Sequence, residues 1–124
     1  MSQKISKFQK LTLDRNNADQ GEFFFAKVRM SNGEIIARPV FVIGKNKDSN
    51  DSGDVIVCSC TSEPGRSKYD KKVQLKLETV VRTNKIYTIG KDQLEFKIQA
   101  NLSIEEIEEI ISEANNSIAL ATLI

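Results

Sequence analysis

With 124 residues, 40% of them hydrophobic and 28% charged, the chain has the size and composition of one soluble globular domain. Its net charge is +1, it has no histidine, and its two cysteines stand as Cys58-x-Cys60. The missing histidine excludes Ser-His-Asp and Cys-His catalysis, the cysteine pair gives neither a disulfide framework nor a zinc ligand set, and no apolar run approaches the roughly 20 residues that span a bilayer.

The charge is unevenly spread. Residues 101–124 carry five acids and no Lys or Arg, so residues 1–100 carry a net charge of +6. A basic body suits a polyanionic partner, although solubility alone also accounts for it. The opening "MSQKISKFQKLTL" lacks the apolar core of a secretory signal, which points to the cytoplasm and away from membranes.

Residues 1–20 are polar with weak alternation at Ile5, Phe8, Leu11 and Leu13, and read as an arm or a short helix. From Gly21 the β signals become dense, and residues 21–124 read as a single domain. "GEFFFAKVRM" is a Phe- and Val-rich strand, and Asn32-Gly33 marks a hairpin turn of the type that needs positive φ at both central residues. "RPVFVIG" is the return strand, with Pro39 at its beginning because proline donates no ladder hydrogen bond. A polar loop is expected over 45–54.

"VIVCSCTS" is apolar almost throughout, so both of its faces should be covered. A second loop spans 63–72 and is mainly basic. "VQLKLETVV" and "KIYTI" read as two further strands. "QLEFKIQ" reads as a half-buried strand with Leu94, Phe96 and Ile98 inward. Ser103 and Glu106 form a capping box. Behind it Ile104, Ile107, Ile110, Ile111, Ala114 and Ile118 make one helical stripe, so a helix is expected over about 103–116. "ALATLI" is too short for a membrane anchor and suits packing on the barrel or on a second subunit. Five to six strands followed by one helix give a mainly β fold: a small, curled antiparallel barrel with a C-terminal helix against it.

Arg38 stands as a permanent cation at the mouth of an apolar strand. If the long loops share one end of the barrel, it converges with Thr61, Ser62 and the basic loop. A guanidinium binds phosphate through a planar fork of donors, hydroxyls donate to phosphoryl oxygens, and Arg66, Lys68, Lys71 and Lys72 attract a nucleic-acid backbone. Tyr69 offers a ring for base stacking. Each feature taken singly is also ordinary surface or strand-end chemistry; only their combination speaks for a site.

Taken in order, "GEFFFAKVRMSNGEIIARPVFVIG", "CTSE", "TVVRTNKIYTIGKDQL" and "LSIEEIEEIISEANNSI" resemble PemK/MazF-type toxins over about residues 21–118. The resemblance implies a barrel related to Src-homology-3-like folds and a two-fold dimer. It also implies an endoribonuclease that cuts single-stranded RNA without metal or other cofactor and is silenced by a protein antitoxin. Matched position by position, Arg38 is the catalytic arginine, Thr61 and Ser62 the hydroxyl positions, and Arg82 a second arginine; Glu22 belongs to a Gly-acid pair of structural character. Glu34 and Glu63 are the carboxylates nearest the site in sequence, and so the acid/base candidates. Asn84 departs from the family, some members of which have an aspartate there. That departure keeps a second reading open, a non-catalytic module that binds protein or nucleic acid.

Overall fold

A computed structural model describes residues 6–45 and 53–121; most of the loop expected at 45–54 and the last three residues of "ALATLI" lie outside the described residues. A helix α1 (Lys7–Asn16) precedes six strands: β1 (Phe23–Arg29), β2 (Ile35–Val42), β3 (Asp54–Thr61), β4 (Asp70–Gln74), β5 (Glu78–Gly90) and β6 (Leu94–Ile98). The helix α2 (Ile104–Ile118) closes the chain. All strand pairs are antiparallel and form one sheet of order β4-β5-β3-β2-β1-β6. The expected mainly β architecture with a C-terminal helix is therefore present, with β4 and β6 at its edges rather than joined into a closed barrel. Among the described residues no helix is long and apolar enough to cross a membrane.

Strand alternation builds two cores. Phe24, Ala26 and Val28 of β1 meet Val40, Val42, Val55 and Val57 on one face. Phe23, Phe41, Cys58 and Cys60 face the other way, where Ile110 and Ala114 of α2 cover them. The apolar run of β3 is thus buried on both sides, as its composition requires. The α2 capping box joins Ser103 and Glu106, but only the middle of the isoleucine stripe is covered: Ile104 and Ile118 are exposed. Gly21 has φ 95°, and a Cβ there would stand 3.1 Å from Ile107 Cδ1, so glycine allows both the turn and the seating of α2. Beside it, Glu22 accepts from the Asp19 N–H and pairs with Lys97, a structural role.

Three local expectations change. Gly33 has φ 90° but Asn32 does not share the positive φ, and Met30 and Glu34 close a three-residue loop. This is the bulged form of hairpin, in which only the glycine needs the left-handed region. "VQLKLETVV" is not one strand: it folds back at Leu75–Leu77 so that Val73 pairs with Thr79. The turn contains no Gly, Pro, Asn or Asp, and the strand after it runs on through "KIYTI" as β5. In β6, Phe25 pairs with Phe96 but Ala26 pairs with Leu94, leaving Glu95 as an extra residue. This bulge turns Leu94 into the first core and leaves Phe96 45% exposed on the opposite face.

Candidate functional site

Proline sets the geometry. Val42 exchanges hydrogen bonds with Gly21 and Glu22 on the β1 side, while the Ile43 N–H donates to Ile56 on β3. By alternation, Pro39 turns its nitrogen towards β3, where it has no proton to give. The β2–β3 ladder accordingly stops at Val40↔Ser59, although β1–β2 pairing continues to Arg29↔Ile35. Continued by two residues, the same register sets Arg38 opposite Thr61.

The split between the strands holds a cavity of about 280 Å³ lined by Ala37, Arg38, Pro39, Cys60, Thr61, Ser62 and Glu63. Arg38 therefore shares one cleft with Thr61 and Ser62, which follow it by 23 and 24 positions in the chain, and Glu63 is its carboxylate. Among the described residues the Arg38 guanidinium has neither a hydrogen-bond nor an ion-pair partner. Thr61 is buried, and its Oγ1 accepts from the Glu63 N–H at 3.2 Å, which leaves its own proton free to donate. Ser62 is exposed at the rim.

Glu63 lies between two further cations. Its Oε2 is 3.0 Å from Arg66 Nη2 and 3.5 Å from Arg82 Nη2. The Arg82 side chain is 19% exposed, and its Nε is buried with no acceptor. Two guanidinium groups thus share one carboxylate while that of Arg38 stays unpaired, which leaves a positive surplus and donors to spare, suited to an anion of tetrahedral oxygen geometry.

The remaining candidates separate. Glu34 sits on the β1–β2 hairpin tip, ~13 Å along the strand from Arg38 at about 3.3 Å per residue, and does not line the cleft. Asn84 is exposed on β5. Lys71 pairs with Glu109 of α2 at 3.1 Å and Lys72 with Glu78 at 3.6 Å, so both are partly neutralised. Lys68 lies 5.2 Å from the centre of the Tyr69 ring. The Tyr69 carbonyl accepts from the N–H and the hydroxyl of Thr83 of β5, and Tyr69 does not line the cleft. The Arg66–Glu63–Arg82 bridge was not legible in the sequence, because its members meet only through the β4–β5 pairing that sets Asp70 opposite Arg82.

Behind the cleft, burial pushes the Cys58 thiol up to about 12, and burial with the neighbouring Cys58 raises Cys60 further. Both thiols are unbridged and neutral in the folded protein. They should resist iodoacetamide in the native protein and react in guanidinium. The unfolded chain releases these protons near 9.0 while the fold retains them, so this contribution to stability is full below pH 9 and falls as pH rises towards 12. Chemical denaturation at several alkaline pH values measures that fall.

Residues 19–118 match the family model described as PemK-like, MazF-like toxin of type II toxin-antitoxin system. No curated protein sequence matches significantly. Among solved structures, an endoribonuclease in complex with its cognate antitoxin from a mycobacterial species superposes with TM-score 0.68 at 16% identity, over 85% of this chain and 98% of that one. The Mycobacterium tuberculosis toxin MazF-mt6 gives 0.64 at 17% identity, over 82% and 99%. MazF from Deinococcus radiodurans gives 0.65 at 14% identity, over 79% and 93%. At these identities the likeness is one of fold.

Proposed function

The chain belongs to the PemK-like, MazF-like family of type II toxins, and on that premise we propose that it is a metal-independent endoribonuclease toxin acting on single-stranded RNA in the cytoplasm. The observation that carries the proposal is the shared cleft of Arg38, Thr61 and Ser62.

The reaction is an in-line attack of a ribose 2′-oxygen on the adjacent phosphorus. The new O–P bond closes a cyclic phosphate, the bond to the 5′-oxygen breaks, and that oxygen leaves as a hydroxyl after taking up a proton. DNA lacks the nucleophile. Arg38, free of competing partners, neutralises the charge that builds on the phosphoryl oxygens, and the hydroxyl of Thr61 or Ser62 donates a further hydrogen bond. Arg82 supplies a second cation, held in place through Glu63. Glu63 is also the carboxylate able to accept the 2′-proton, a role its position in the cleft supports over that of Glu34.

We further place the protein as a homodimer with a protein antitoxin. Family membership supports this, as does the solution of one structural neighbour with its cognate antitoxin. The second reading, binding without cleavage, draws on the exposed amide of Asn84 where a carboxylate would serve as a base. Incubation of the purified protein with a long RNA in EDTA separates the two. Discrete fragments ending in cyclic phosphate are expected; retarded but uncut RNA would establish the binding module instead.

A further inference from the structure

Alternation along the strands sorts the residues around the cleft onto one face of the sheet. Cys60, Val73 and Val81 turn towards α2, so their chain neighbours Thr61, Lys72 and Val80 turn the other way. Thr61 pairs with Val80 between β3 and β5, and Val80 pairs with Lys72 between β5 and β4. Glu78 stands two residues before Val80 on the same strand and shares that face. Arg38 belongs to it too, two residues along β2 from Val40, which packs in the core away from α2.

On this face the Arg38 cleft has a neighbour. A second cavity, of about 230 Å³, is lined by Ser62, Glu63, Pro64, Lys72, Glu78 and Val80. Ser62 and Glu63 line both cavities, so a ridge of two residues separates them. From Thr61 to Lys72 is two strand spacings, about 10 Å. A phosphate held in the first cavity and a base held in the second would belong to the same nucleotide or to adjacent ones.

The two cavities differ in chemistry. The first has guanidinium donors to spare. The second has the single ammonium of Lys72 against the carboxylates of Glu63 and Glu78, together with the apolar groups of Val80 and Pro64. Such a surplus of acceptors repels a second phosphate and suits a neutral ring that carries N–H donors. Glu63 is already engaged by Arg66 and Arg82. Glu78 is 65% exposed, and among the described residues its one partner is Lys72, at 3.6 Å. Most of its lone pairs, and two of the three Lys72 donors, stay available to a ligand.

We propose that this second cavity is a base-reading subsite that selects guanine next to the phosphate held by Arg38. The proposal rests on the reading of the cleft as an RNA-cleaving site. Single-stranded RNA presents the Watson–Crick edges of its bases to a protein. On that edge guanine sets two neighbouring donors, N1–H and the N2 amino group, beside the O6 acceptor. The Glu78 carboxylate accepts from both donors, and the Lys72 ammonium donates to O6. Adenine and cytosine offer one amino group there and uracil one ring N–H, so none of them occupies both carboxylate oxygens.

The test uses fluorescein-labelled, 2′-O-methylated oligouridylates, whose blocked 2′-oxygens prevent cutting, with a single guanine or a single adenine at the centre. The wild type should bind the guanine strand about tenfold more tightly than the adenine strand. Glu78→Gln keeps the size of an exposed side chain but exchanges one acceptor oxygen for a donor, so it should bring the two affinities together. Circular dichroism of the variant checks its fold. When fragments of a long RNA are sequenced, guanine should stand at one fixed position beside the bond cut by the wild type, and fragments made by Glu78→Gln should lack that enrichment. Equal affinity of the wild type for the two strands overturns the subsite, and so does an undiminished guanine preference in folded Glu78→Gln. Cleavage of ordinary RNA tells the failures apart: if the wild type cuts without regard to guanine, only the subsite is lost; if it neither cuts nor binds RNA, both readings are lost.

Discussion

Replacing Arg38 with alanine is expected to reduce RNA cleavage by about 10²–10³-fold, the usual cost of removing one preorganised charge-stabilising donor from such a site. The side chain is half-buried at a strand margin with no intramolecular partner among the described residues, so its loss should leave the fold intact. Circular dichroism and thermal melting should match the wild type. Expression of the wild type without an antitoxin should arrest growth, and expression of Arg38→Ala should not. An Arg38→Ala protein that folds and still cuts RNA at the wild-type rate would remove Arg38 from the chemistry and with it the proposed mechanism. Arg38→Lys is a sharper variant: it keeps the charge but loses the planar fork, so it should remain well below wild type.

Truncating Phe41 to alanine is expected to cost about 3–5 kcal/mol of folding stability, lowering the melting temperature by about 10–20 °C. Phe41 has no exposed surface and packs 4.8 Å from Phe23, ring to ring, under Ile110 and Ala114 of α2. It sits where the β2 ladder to β3 is still intact, opposite Cys58. The same truncation at Phe8, which is 76% exposed on α1, should change stability by no more than about 0.5 kcal/mol. Urea titrations of the two variants measure the contrast. A loss below about 1 kcal/mol for Phe41→Ala would mean that α2 is not docked on this face, and the second core would have to be abandoned.

Much of this architecture is local chemistry. The α2 start is written in Ser103 and Glu106, whose reciprocal hydrogen bonds need only four consecutive residues. The Asn32-Gly33 hairpin and the alternation of β1 are likewise visible in short windows, and the doubly buried β3 follows from its unbroken apolar run. The failures have physical causes of the same local kind. The β4–β5 turn at Leu75–Leu77 is held by hydrogen bonds of the flanking Gln74 and Thr79 side chains rather than by turn-forming residues. The bulge at Glu95 shifts β6 by one position without any Gly or Pro to announce it. Because side chains alternate with a period of two, that single residue turns Phe96 from an expected core residue into an exposed ring.

The site divides along the same line. By itself the amino-acid order determined which groups are present: an arginine fixed before a proline, two adjacent hydroxyls at a strand end, an absence of histidine, and the period-two pattern that makes a sheet obligatory. Which of these groups meet was decided only by tertiary structure. The shared cleft of Arg38 and Thr61 comes from the place where the β2–β3 ladder stops, and the bridge of Glu63 to Arg66 and Arg82 from the β4–β5 pairing. Strand register between distant segments is selected by burial of whole faces and by ladder hydrogen bonds, which no short stretch of sequence contains.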